Sequence, residues 1–265
     1  MSARLEIRNL QKRFGALAVT DDISLDIAPG ELHAIIGPNG AGKTTLVAQL
    51  SGQLRPDAGQ VLYDGQDITT LDMAGRVHLG MARSFQITTI LHGFTVLQNV
   101  ALAVQARDGT SFRFFGRADA ETRLNDEAMG YLRQVGLADR AHHISRNLSH
   151  GEHRQMEFAI ALATAPRLLL LDEPFAGTGR HEAEALMQLM QQIKGRQTIL
   201  LVEHDMNAVF ALADRISVLV YGKIIATGTP AEIRANAEVR AAYLGEDSAD
   251  NTAVQTAETA AGEAS

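Results

Sequence analysis

Eight consecutive residues, Gly37-Pro38-Asn39-Gly40-Ala41-Gly42-Lys43-Thr44, fit the pattern G-x-x-x-x-G-K-[ST]. Residues of these types at this spacing can hold a phosphate chain. Glycines let consecutive backbone N–H groups converge on phosphate oxygens where a side chain would block the approach. Lys43 can reach the β- and γ-phosphates, and the Thr44 hydroxyl can ligate Mg²⁺. Far downstream, the apolar run Leu168-Leu169-Leu170-Leu171 ends in Asp172-Glu173-Pro174. There Asp172 would face a Mg²⁺ shell, and Glu173 could orient or deprotonate an attacking water. A third run, Ile199-Leu200-Leu201-Val202, leads into Glu203-His204-Asp205. His204 could bond a γ-phosphate and hold the water's geometry, although a lone histidine at a strand end is usually structural. The chemistry these groups would share is hydrolysis of a nucleoside triphosphate.

Such groups need elements that hold them at one edge. Leu32 to Ile36 reads as a short buried strand and Thr44 to Leu50 as a helix, so the glycine loop sits between strand and helix. The helix would aim its partially positive N-terminus at the same anion. Before it, Leu5-Glu6-Ile7 and Ile23 to Ile27 alternate as strands, Pro29-Gly30 marks a turn, and Gly59 to Tyr63 reads as a further strand. From Val96 to Thr164 the apolar positions Val96, Val100 and Val104, then Ala128, Leu132 and Val135, recur at helix spacing. Beyond Arg167, strands (168–171, 198–202, 216–220, 224–226) alternate with helices (182–193, 207–213), which implies parallel crossovers. A sheet-based core interrupted by a helical insert follows, and ligands gather at the carboxyl ends of its strands.

The 265 residues, 46% hydrophobic and 21% charged, suit one large globular domain or two small ones. With no cysteine, disulfides, thiolate metal sites and thiol catalysis are excluded, and a reducing cytoplasm is consistent. No apolar run reaches membrane-spanning length and the first residues carry no signal core, so a soluble intracellular protein is expected. Net charge is −7, but residues 246–265 hold five acids and no base. The body thus carries 24 bases against 26 acids, which argues against a general nucleic-acid binder. The Ala-, Thr- and acid-rich tail reads as disordered.

Further motifs lie between the phosphate sites. Leu148-Ser149-His150-Gly151-Glu152 resembles the signature loop of the ATP-binding-cassette (ABC) family, and Gln86 in Arg83-Ser84-Phe85-Gln86 resembles its glutamine loop. Phe14 sits where that family stacks an aromatic on adenine, and His204 matches its switch histidine. In order from about Leu5 to Gly245, the chain is similar to the nucleotide-binding subunit of an ABC transporter. That resemblance implies an α/β fold: a P-loop ABC ATPase core of mixed sheet with flanking helices, an N-terminal antiparallel β portion and a helical insert. Residues 1–245 would form one domain, with the helical subdomain at about 90–164, and 246–265 a disordered acidic tail.

The resemblance also assigns roles. ATP would lie on Phe14, Asn39, Gly40, Ala41, Gly42, Lys43, Thr44, Thr45 and Asp172 of one subunit, and on Ser149, Gly151 and Glu152 of a second subunit packed head to tail. Mg²⁺ would be held by Thr44, Gln86 and Asp172, with Glu173, His204 and Gln86 serving hydrolysis. Two positions depart from the family pattern. His150 replaces the common glycine of the signature loop, and Gly179 stands where relatives place Asp or Asn, which implies looser coupling between the two ATP sites.

Leu79 to Gln86, Phe94 to Val100, Val202 to Met206 and Ala242-Tyr243-Leu244-Gly245 resemble the ATPases of branched-chain amino-acid importers. Partners implied are transmembrane permease subunits, a second ATPase subunit in a homo- or heterodimer and, indirectly, a solute-binding protein, with no nucleic acid. The site of action would be the cytoplasmic side of the inner membrane, as a peripheral subunit. The alternatives are the ATPase of a lipopolysaccharide exporter and a non-transport ABC ATPase acting on nucleic acid or ribosomes. Ile87, Ile90, Leu91 and Phe94 would line the permease-docking groove. His142, His143, His150 and His153 do not make a convincing zinc set, because His150 belongs to the signature loop and no thiolate is available. Arg107, Phe112, Arg113, Phe114, Phe115 and Arg117 mix bases with aromatics, and a loop of the insert accounts for them better than a single-strand binding surface.

Overall fold

Alternation in the first sixty residues folds as an antiparallel sheet. Strands β1 (Leu5–Phe14) and β2 (Leu17–Ile27) pair with Leu5 opposite Ile27 and Ile7 opposite Leu25. These four side chains are buried, while Glu6 and Asp26 pair on the other face. β3 (Leu32–Ile36) follows, then α1 (Lys43–Ser51), then β4 (Ala58–Tyr63) and β5 (Gln66–Asp67), which extend the first sheet in the order β2-β1-β4-β5. The coordinates are a computed structural model that describes residues 5–83, 90–108 and 118–244. Gln86, Phe85, Ile87, the Phe112 to Phe115 cluster with Arg113 and Arg117, Gly245 and the tail 246–265 lie outside the described residues.

The remaining elements are α2 (Met73–His78), β6 (Met81–Arg83), α3 (Val96–Arg107), α4 (Ala118–Gln134), α5 (His150–Ala163), β7 (Leu168–Asp172), α6 (Arg180–Ile193), β8 (Thr198–Val202), α7 (Met206–Leu212), β9 (Arg215–Val220), β10 (Lys223–Gly228) and α8 (Pro230–Ala235). Six strands form a second sheet in the order β10-β9-β3-β8-β7-β6, parallel throughout except for the antiparallel edge β10. Its central strands read as unbroken apolar runs because both faces are covered. Leu169 and Leu171 belong to a core shared with α3, α5 and α6, whereas Leu168 and Leu170 belong to one shared with α1 and the antiparallel sheet. Each fully buried leucine there contributes about 1.5–3 kcal/mol relative to exposure. The helical stripe is also where the spacing put it: Val96, Val100, Val104, Ala128 and Leu132 are fully buried. Asn99 shares this buried face because its amide bonds the backbone of Leu91 and Thr95.

One constellation in the central strand looks catalytic and is closed. His33 Nδ1–H donates to Glu31 Oε1 at 2.9 Å, and its Nε2 pairs with Ser217 Oγ at 2.8 Å. Ser217 and His33 are both fully buried, so no substrate reaches the hydroxyl, which bonds Thr227 Oγ1 of β10 instead. The series ties β3 to β9 and β10. Burial pushes the Glu31 carboxyl up, but the His33 bond, the Ala28 N–H and Arg215 outweigh it and hold the group below its ordinary value. A depressed carboxyl stabilises the fold above its unfolded pKa of about 4.3, and that contribution vanishes as pH falls through the folded value. In thermal melts across pH 3 to 6, Glu31→Gln is expected to flatten the acid limb of the Tm profile. An unaltered limb would refute this assignment.

Candidate functional site

The six-stranded sheet sets the site by register. Ile35 of β3 pairs with Val202 of β8, and Val202 pairs with Asp172 of β7. The glycine loop, Glu203-His204 and Glu173 therefore leave the sheet side by side, at the carboxyl ends of three adjacent parallel strands. Glu203 and Glu173 follow that row directly, and the glycine loop begins one residue further on, after Ile36.

The glycine loop is shaped by close backbone approach. A Cβ at Gly37 would collide with the Leu219 carbonyl of β9, and one at Gly42 with the Val19 carbonyl of β2. Gly42 also has φ 106° and occupies the N-cap of α1, where it offers no side chain. The first amides of α1 are thus left uncapped and their dipole faces outward, an arrangement that fits an anion. Lys43 is buried and curls back, donating from Nζ to the carbonyls of Gly37 at 2.6 Å and Pro38 at 3.1 Å. Desolvation lowers its pKa, opposed by the charges of Glu173, Asp172 and Glu203. Three carboxylates thus act on this one ammonium. Asn39, Gly40 and Thr44 are exposed, Thr45 half-buried and Ala41 buried.

At the end of β7, Asp172 is half-buried and accepts from Arg83 Nη2 at 3.1 Å. Desolvation raises its carboxyl above the ordinary range; Arg83 and Lys43 pull it down, and Glu173 adds to the rise. Glu173 has φ 49°, the left-handed region, with its N–H donating to the Val202 carbonyl at 2.8 Å. A non-glycine residue held there costs about 1–3 kcal/mol and marks a site that its surroundings over-determine. His204 is 59% exposed. Beside it, Glu203 is fully buried, and its carboxylate accepts from the N–H groups of Phe175 at 2.9 Å, His204 at 2.7 Å and Asp205 at 3.2 Å. It fastens the turn after β7 to the turn after β8.

The signature-like loop stands apart. Ser149 caps α5 by accepting from Glu152 N–H at 3.2 Å, while Glu152 accepts from Ser149 N–H at 2.8 Å, a capping box. The Ser149 N–H bond, with Arg140 2.8 Å away, holds the Glu152 carboxyl low against its desolvation. Gly151 lies against the Glu182 carboxylate of α6, so a Cβ there would have to displace that side-chain end. Among the described residues, no hydrogen bond or ion pair joins Ser149, Gly151 or Glu152 to residues 37–45. Arg154 donates to the Pro174 carbonyl at 2.8 Å and so links α5 to the turn that holds Glu173. Phe14, at the β1–β2 tip, is 52% exposed, with Lys12 Nζ 5.8 Å from its ring centroid. Gly179 is the N-cap of α6 with φ −71°, so its backbone does not require glycine.

Beside the edge strand β6 a groove of 460 Å³ opens between α2, β6 and α5, walled by Val77, His78, Met81, Arg83, Ile160 and Thr164. Leu91 and Phe94 are exposed, but Ile90 packs against the main core. Ile90 is only half-buried there, so part of its surface stays accessible beside Leu91 and Phe94.

A phosphate-binding loop, an acid pair and a histidine at adjacent strand ends, with a capped glycine-containing loop on a separate helical face, define a P-loop ATPase cassette. The chain belongs to the ABC transporter family, whose profile, described as ABC transporter, matches residues 20–176. It is an ATPase subunit of that type. A second profile, the branched-chain amino acid ATP-binding cassette transporter, matches residues 223–249. The chain is 36% identical over 251 residues to the high-affinity branched-chain amino acid transport ATP-binding protein LivG of Escherichia coli (strain K12), covering 91% of this chain and 98% of LivG. It is 32% identical over 246 residues to the lipopolysaccharide export system ATP-binding protein LptB of the same strain, covering 92% and 98%. Among solved structures, the ADP conformation of MJ1267, an ATP-binding cassette of an ABC transporter, superposes with a TM-score of 0.78 at 27% identity, covering 92% and 100%.

Arg83, Glu203 and Arg154 were missed as site residues from the sequence. Glu203 carried a usable signal, because a charged residue that directly extends a five-residue apolar strand must find its partners indoors.

Proposed function

We propose that two ATPase subunits of this type close head to tail on two ATP molecules and drive a permease that imports branched-chain amino acids or related small polar solutes. The observation that carries the catalytic part is the row Ile35, Val202, Asp172, which aligns the exits of three strands. Asn39 to Thr45 would supply backbone N–H groups and the Lys43 ammonium to the phosphates, and Phe14 a face for adenine. Mg²⁺, when bound by Thr44, Asp172 and Gln86, would neutralise charge on the β- and γ-phosphates. Glu173 would take the proton of the attacking water, and His204 would hold that water's geometry. Ser149 and the Gly151 N–H, at the N-terminus of α5, would clamp the γ-phosphate of the opposite subunit. Their separation from the same chain's loop is what a two-subunit site requires. Driving closure from 1:99 to 99:1 takes about 5.5 kcal/mol of preference for the closed pair, and loss of the γ-phosphate removes its anchor.

The likeness to LivG and the branched-chain profile over residues 223–249 support the cargo class, with a solute-binding protein acting on the far side of the permease. No helix among the described residues is long and apolar enough to cross a membrane, in keeping with a peripheral subunit held at the cytoplasmic face by its permease. A cytoplasmic permease helix would fill the 460 Å³ groove and cover Val77, which is 49% exposed. Val77→Asp on the groove wall, and Leu91→Asp at an exposed position outside its lining, are expected to reduce permease copurification about tenfold or more while ATP affinity stays within about twofold. Equal loss of both would turn the groove into a folding element. Uptake of labelled leucine by cells carrying the operating complex tests the cargo; lipopolysaccharide retained in cells lacking the chain would favour export instead.

A further inference from the structure

Beyond walling the groove, Arg83 has no role in the reading above, yet its side chain is only 6% exposed and closes on Asp172. It ends β6, the edge strand that pairs with β7. From there Nη2 bonds Asp172 Oδ2 at 3.1 Å, while Nη1 bonds Gln53 Oε1 at 2.7 Å and Ser51 Oγ at 3.2 Å. Ser51 closes α1, the helix that begins at Lys43. The guanidinium thus has one arm on the far end of the phosphate-loop helix and the other on the carboxylate. Asp172 Oδ1 takes no hydrogen bond among the described residues, so one carboxylate oxygen is held and the other left open. A planar fork fixes such an orientation in a way that an ammonium, a point charge on a flexible stem, does not.

We infer that Arg83 is a positioning residue that holds Asp172 by Oδ2 so that Oδ1 is presented to Mg²⁺ on the bound nucleotide. The inference rests on the assignment of Asp172 to the metal. Outer partners that orient a metal-binding carboxylate are worth about 10–100-fold in metal affinity. Without Arg83 the carboxylate would be free to turn and would lose the cation that opposes its desolvation.

The test uses the full chain and a fluorescent ATP analogue, titrated once with Mg²⁺ and once in EDTA. The ratio of the two dissociation constants measures what the metal adds. Arg83→Gln is expected to leave the EDTA affinity within about twofold and to cut the metal increment about tenfold. Arg83→Lys, which keeps the charge without the fork, is expected to recover part of it and provides the reading if the glutamine variant does not fold. A packing role alone would move both affinities together or neither. An undiminished increment in both variants, with Asp172→Asn abolishing it, overturns the inference and leaves the site assignment standing. An undiminished increment in Asp172→Asn itself overturns both, by removing Asp172 from the metal.

Discussion

Glu173→Gln is expected to lower ATP turnover about 10²–10⁴-fold, the range for removing a general base, while ATP binding persists. The substitution is isosteric and leaves the glycine loop, Lys43 and Asp172 untouched. It also retains the backbone of the turn, where the residue sits at φ 49° with its N–H on the Val202 carbonyl. What disappears is the carboxylate able to accept a proton from water. With hydrolysis blocked, ATP should hold two subunits together, so the variant should elute as a dimer with ATP and as a monomer with ADP. Single-turnover kinetics and size-exclusion chromatography check the two halves of this expectation. Normal turnover would remove Glu173 from its role.

Arg76→Met is expected to cost several kcal/mol of stability, at about 1–3 kcal/mol for each buried acceptor left without a donor. Arg76 is 1% exposed and forms no ion pair among the described residues. Its guanidinium instead donates to five carbonyls, those of Leu71, Gln49, Leu50, Ile68 and Thr69, at 2.7 to 3.3 Å. Desolvation brings its pKa down to about 10, with the Asp67 charge acting the other way. Gln49 and Leu50 lie in the last turn of α1, so the cation sits at the negative end of the helix whose other end forms the phosphate loop. Methionine fills much of the volume and leaves these carbonyls unsatisfied. At roughly 2–4 °C per kcal/mol, the midpoint should fall by about 10 °C, readable by calorimetry. A change under 2 °C would mean that water replaces the guanidinium.

What could be read from the sequence was what is local. The glycine loop, the runs at 168–172 and 198–202 and the apolar stripes of α3 and α4 each carry their pattern within a dozen residues. β6 has only three residues and α2 six, too few for a period to show, and both went unread. The same holds for partners. Arg83 meets Asp172 across 89 residues of chain, and Phe175 meets Glu203 across 28. Arg76 reads as an ordinary surface arginine of a short helix until the carbonyls that surround it are assembled. Ile90 packs partly against a core that distant helices build, a contact that no local pattern shows. The series Ser217, His33, Glu31 makes the converse point, since hydrogen-bond geometry suited to catalysis is inert when no path from solvent reaches it.

The pairing of β3 has a consequence for synthesis on the ribosome. Its two neighbours, β8 and β9, come from residues 198–202 and 215–220, and the Ala41 carbonyl is bonded by Gly222 N–H at 2.9 Å. A nascent polypeptide therefore carries Leu32 to Ile36 with both hydrogen-bonding edges bare until residues 198–202 have been added, and with one edge bare until 215–220 follow. A frameshift or premature stop upstream of residue 198 leaves a strand-forming segment that proteases and chaperones can seize and that nucleotide cannot rescue.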